Sequence, residues 1–150
     1  TRYWRDLSSD VCSSDLAIYQ ENLATEPKGI TENLYAMGQV AMPYPDDANG
    51  AMRSWIGRYE ERFGARAGVE ALVGYDLANL FIAALKAAGP DLTRERFAAA
   101  LEELPPWTSG ALGLAPLDYS ASDHLGVRGG FLAQVKDGRW VTLAPVAIGE

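Results

Sequence analysis

A single cysteine, Cys12, and a single histidine, His124, stand in a chain of 150 residues. One cysteine cannot build a disulfide framework or a thiolate metal site within the chain, and one histidine among scattered carboxylates gives no zinc-ligand spacing. Positive charge is also scarce, with 13 basic residues against 20 acidic ones and a net charge of −7. No Lys/Arg stripe offsets that repulsion from a phosphate backbone, which argues against nucleic acid as a partner. No continuous apolar run reaches the roughly 18 residues that cross a bilayer, and residues 1–16 lack the apolar centre of a signal peptide. Nor is there a Gly-x-Ser-x-Gly elbow, a phosphate loop, a Gly-x-Gly-x-x-Gly turn or a His-Glu-x-x-His helix. What is present is an ordinary globular balance, 48% hydrophobic and 22% charged, enough for a core.

The first residues stand apart. Ser8-Ser9-Asp10-Val11-Cys12-Ser13-Ser14-Asp15-Leu16 repeats Ser-Ser-Asp around Val-Cys without helical or strand periodicity. Residues 5–16 resemble a translated sequencing adaptor. The expectation is a non-native segment over 1–16, set aside before fold reasoning, with the natural start of the protein missing.

From Ala17 onward the chain is patterned. Residues 34–42 form a short apolar run with partial two-residue alternation, closed by Pro43-Tyr44-Pro45, and read as a strand entering a loop. Met52, Trp55, Ile56, Tyr59 and Phe63 fall on one helical stripe that Gly64 ends as a left-handed cap. A second helix over about 70–88 is apolar nearly all round in its middle, so it is expected to be largely buried, and Gly89-Pro90 stops it. A third, 93–104, starts at a Thr cap and places Phe97, Leu101 and Leu104 on one face. Residues 130–136 and 139–143 read as strands joined by Asp137-Gly138, a type I′ hairpin signal, and 110–117 as a further strand. This mixture is an α/β or α+β layer with too few strands to close a sheet of its own.

Single residues carry little chemistry by themselves. His124 beside Asp123 could act as a general base in a small hydrolase, but no nucleophile or oxyanion donor is nominated; an exposed loop at His124 would end that reading. Glu60-Glu61 and Glu102-Glu103 are neighbours pointing about 100° apart on helices and cannot share a proton as catalytic dyads do. Trp55, Trp107 and Trp140 read mainly as packing residues. Tyr75 and Asp76, placed near the start of the second helix, are read as core packing and helix-start capping, with ligand contact as the competing reading.

Taken in order, several segments resemble the leucine/isoleucine/valine-binding family of type I periplasmic-binding proteins. They are Pro27-Lys28-Gly29-Ile30 with the strand after it, Trp55-x3-Tyr59-x3-Phe63-Gly64, Gly74-Tyr75-Asp76-Leu77-Ala78 and Ala84-Leu85-Lys86-Ala87-Ala88-Gly89. Leu92-Thr93-Arg94-Glu95, Tyr119-Ser120-x-Ser122-Asp123-His124-x-Gly126 and Gln134-Val135-Lys136-Asp137-Gly138-Arg139-Trp140 continue the series. The resemblance implies an α/β fold, part of a type I periplasmic-binding-protein fold and hence an incomplete two-lobe structure, with 17–150 as the C-terminal portion.

The family's function implies a non-enzymatic, substrate-binding component of an ABC transporter, periplasmic or exported and membrane-anchored. Its partners would be an amino acid or related small organic solute and a membrane permease, with no cofactor and no metal. The same fold as the sensing domain of a receptor or amide-responsive regulator is the alternative. By position, the resemblance nominates Glu70, Ala71 and Tyr75 as solute contacts, while the family's amino-group anchor would fall inside the foreign stretch.

Overall fold

The computed structural model describes residues 13–14, 18–27, 29–108, 116–127 and 129–147. In chain order the elements are β1 Ser13–Ser14, α1 Glu21–Ala24, β2 Tyr35–Gly38, α2 Gly50–Phe63, α3 Val69–Ala88, α4 Arg94–Glu103, β3 Gly129–Lys136 and β4 Arg139–Ala147. They fall into two compact units. The chain up to Gln39 together with Gly129–Ala147 makes a sheet unit, and Val40–Arg128 makes a helical unit.

The sheet unit orders its strands β1-β2-β3-β4, with β1 parallel to β2 and the other pairs antiparallel. The β3–β4 hairpin turns as expected: Asp137 (φ 50°) and Gly138 (φ 72°) are both left-handed, as a type I′ turn requires. β4 runs past the anticipated end at Leu143 to Ala147 and takes in Pro145. A proline is tolerated there because β4 is an edge strand. Tyr19 packs its ring 5.9 Å from Phe131 and 5.1 Å from Trp140, whose indole Nε1 donates to the Gln20 carbonyl at 2.8 Å. Ala36, Ala133 and Val135 are fully enclosed. The buried Gln134 amide is satisfied by donating to Asn33 Oδ1 at 3.0 Å and to the Tyr35 hydroxyl at 2.8 Å.

The strand expected over 34–42 is shorter. β2 ends at Gly38, opposite Phe131. The apolar run serves two cores, since Ala36 packs in the sheet unit whereas Val40 joins the buried cluster of the helical unit. Alternation alone cannot show such a handover, because both destinations bury the same residue types.

In the helical unit, Asn49 caps α2 by accepting from the Ala51 and Met52 amides, and Gly64 (φ 61°) closes it. Met52, Trp55 and Ile56 cluster with Val40, Ala67 and Leu72. Phe63, expected on the same buried stripe, is instead 61% exposed, its ring against Tyr59 at 4.7 Å. Thr93 accepts from the Arg96 amide and starts α4 as its sequence indicates. Phe97 of α4 meets Phe81 of α3 at 5.1 Å.

The expectation that α3 is largely buried does not hold. Its buried residues, Leu72, Asp76, Leu80 and Ala84, make a single stripe at four-residue spacing, whereas Leu77, Phe81 and Ile82 lie open to solvent. By length and composition α3 also reaches what a membrane crossing needs, which a search for unbroken apolar runs passes over. Its packing on α2 through Leu72 and on α4 through Phe81 is that of a helix within a folded unit. Most of the strand anticipated over 110–117 lies outside the described residues; Leu117 makes isolated bridges to Trp107 and Val127.

Candidate functional site

α3 begins at Val69, so Asp76 is two turns inside the helix and does not cap its start. It lies on the buried stripe and is 1% exposed. The Trp107 indole Nε1 donates to both of its carboxylate oxygens, at 3.2 and 3.3 Å. Burial pushes the Asp76 carboxyl above its ordinary pKa because the charged form loses water, and the Trp107 hydrogen bond pulls partly the other way.

Asp76 lines an open cleft of about 490 Å³, wholly within the helical unit. α3 contributes Tyr75, Asn79, Ile82, Ala83 and Lys86 to its wall, and α2 contributes Ala51, Trp55 and Arg58; Trp107 and Thr108 complete it. The Tyr75 ring lies 5.8 Å from Trp55. Beside it, a more apolar hollow of about 370 Å³ is lined by Trp55, Tyr59, Phe63 and Tyr75 with the arginines Arg58 and Arg62.

Of the three nominated solute contacts, Tyr75 stands in both clefts, and neither Glu70 nor Ala71 lines them. Glu70 is exposed in the first turn of α3, its carboxylate folded back towards Gly68. Ala71, next to it, is half-buried against the core cluster. Trp55 and Trp140 are buried as packing residues, whereas Trp107 also holds Asp76 and walls the cleft. That pairing joins residues 31 positions apart. No local pattern in the sequence announces it.

Asp123-His124 does not assemble hydrolase chemistry. The His124 side chain is 73% exposed, with Nε2 3.1 Å from the Glu102 carboxylate, and Asp123 Oδ1 accepts from the Leu125 amide at 2.9 Å. An exposed turn is the condition under which that reading fails. Among the described residues no group of three or more His, Cys, Asp or Glu side chains is arranged to hold a metal ion.

The periplasmic binding protein family profile matches residues 9–139, starting within the Ser-Ser-Asp stretch. No curated protein matches the chain. Among solved structures, a benzoate-bound solute-binding protein of an ABC transporter from R. palustris is 25% identical, with a TM-score of 0.60 over 85% of this chain and 33% of its own. A leucine-bound substrate-binding protein from Desulfitobacterium hafniense is 26% identical, with a TM-score of 0.53 over 75% of this chain and 32% of its own. A fatty acid substrate-binding protein from Thermomonospora curvata, 18% identical, shares the fold with a TM-score of 0.73 over 92% of this chain and 36% of its own. The chain therefore spans about a third of the length of these relatives, and its α/β architecture is a partial version of theirs. The profile match over most of the chain, on a fold shared with solute-binding proteins, makes it a member of the periplasmic binding protein family.

Proposed function

We propose that the chain is the C-terminal portion of a substrate-binding component of an ABC transporter, which holds an amino acid or related small organic solute between two lobes and delivers it to a membrane permease. The observation that carries this reading is the family match over residues 9–139. The benzoate and leucine named for two relatives support a small organic carboxylate, with or without an amine, as the solute class. The division into two units, with the chain passing between them after Gln39 and before Gly129, is consistent with a chain that crosses between lobes.

In this reading Glu70, Ala71 and Tyr75 contribute contacts, and Glu70 favours an amine-bearing or hydroxylated solute by charge pairing in a partly dried cleft. The protein works in an exported, periplasmic or membrane-anchored setting; residues 1–16 are read as foreign to it on their Ser-Ser-Asp repeat, against a family match that begins at residue 9 and a β1 pairing at Ser13–Ser14. Calorimetric titration of the parent protein carrying both lobes, against amino acids, amides and aromatic acids, tests the reading. Saturable binding of one class supports it, and silence across all three counts against it. Sequencing the source locus checks the foreign segment, which is absent from the native gene if the reading is right.

A further inference from the structure

Asp76 combines two properties that seldom coexist without a use. It is 1% exposed, and it borders an open cleft. An ionised carboxylate offers about four acceptor positions. Among the described residues its donor is the one Trp107 N–H, shared between both oxygens, and no Lys or Arg pairs with it. A buried carboxylate with so little compensation retains acceptor capacity for a ligand donor. The cleft volume of about 490 Å³ suits a small molecule.

The surroundings select the ligand's charge. The Asp76 carboxylate in the lining is the one acidic group there and attracts a cation. Trp55, Tyr75 and Trp107 present aromatic surface, which favours a cation and an apolar body together. Arg58 and Lys86 in the same wall oppose positive charge except directly on Asp76, so they limit the ligand to one ammonium seated on that carboxylate. We propose that this cleft binds a small organic monoamine, its ammonium on the Asp76 carboxylate and its apolar body against Trp55, Tyr75 and Trp107. The site lies within the helical unit, and Asp76 and Trp107, which define it, are not among the solute contacts proposed above, although Tyr75 is common to both.

The test uses the parent protein carrying this segment, at neutral pH, and titrates phenethylamine, phenethyl alcohol and phenylpropionate by calorimetry, with tryptophan fluorescence as a second readout. Phenethylamine is expected to saturate, the alcohol to bind about tenfold or more weakly, and the anion not at all, because a charge-assisted bond to the carboxylate is available only to the amine. Asp76→Asn keeps the side chain's shape and an acceptor for Trp107 but removes the charge, and is expected to erase the amine's advantage over the alcohol. Trp107→Phe keeps an aromatic wall and frees the carboxylate, so the amine's advantage persists. Absence of saturable phenethylamine binding overturns the proposal. So does an amine-to-alcohol ratio near one in the unsubstituted chain, or one that Asp76→Asn leaves unchanged; in the last case Asp76 is only a clasp for Trp107. Failure of the proposed function is read separately, as silence of the parent protein towards amino acids, amides and aromatic acids, whereas failure of this proposal is read by the Asp76→Asn comparison.

Discussion

The indole N–H of Trp107 donates to both oxygens of Asp76, at 3.2 and 3.3 Å, and ties the segment after α4 to the interior face of α3. A carboxylate in the middle of an apolar helix is costly unless something donates to it. Asp76 is therefore tolerated at its position because of a residue far away in the sequence.

Trp107→Phe keeps an aromatic ring, smaller than the indole, and removes that donor. A buried carboxylate left without its hydrogen bond costs about 1–3 kcal/mol, so the variant should unfold at lower urea concentration than the unsubstituted chain. Equal midpoints would show that the bond contributes nothing to stability.

The pH dependence of Asp76 has a definite sign. Burial raises the folded carboxyl above its unfolded value, so the group's contribution to stability is fully present below the unfolded value and is lost as pH rises through the folded one. Asp76→Asn does not titrate. The stability of the unsubstituted chain relative to Asp76→Asn is therefore expected to fall as pH is raised from acid towards neutral. Paired thermal melts across that range check it, and a difference that stays flat with pH contradicts the burial argument.

Two facing glycines separate a rigid neighbour from a movable one. A Cβ at Gly130 would sit 2.7 Å from the Gly38 carbonyl oxygen, whereas one at Gly38 would meet the Phe131 ring at 2.7 Å. Ring atoms can shift more cheaply than a paired backbone. Gly130→Ala is expected to destabilise more than Gly38→Ala, with overpacking costs of about 1–3 kcal/mol. Chemical denaturation of both variants ranks them, and the reverse order sinks the reasoning.

At the hairpin, Gly138 has φ of 72°. Gly138→Ala introduces a Cβ into left-handed backbone and should cost about 1–2 kcal/mol while leaving the helical unit's fold intact. Amide exchange resolved by residue measures both halves of this expectation. Faster exchange in β3 and β4 with unchanged protection in α2 and α3 agrees with it.

Much of the local structure was legible. The stripe from Met52 to Tyr59, the cap at Thr93, the stop at Gly64 and the Asp137-Gly138 turn are encoded within a few residues, where helix period, capping and left-handed backbone act directly. α1 leaves no mark in the sequence, because its four residues are too few to show a helical period. The run over 34–42 reads as one strand because alternation reports burial without reporting which core does the burying. For the candidate site, Tyr75 lines the cleft, which says nothing of solute contact, and Asp76 lies two turns inside a helix that starts at Val69, where local pattern alone places it at the helix start.

By itself the sequence determined the three longer helices, the caps at Gly64 and Thr93, the hairpin and the ordered segments that mark the family, since each depends on neighbours within about one or two turns of chain. Only the tertiary structure decided that α3 buries one stripe and exposes another, that Val40 leaves the sheet for the helical core, and that Trp107 meets Asp76. Those outcomes depend on contacts between residues distant in the chain, and a chain's periodicity carries no record of which distant surface each face will meet.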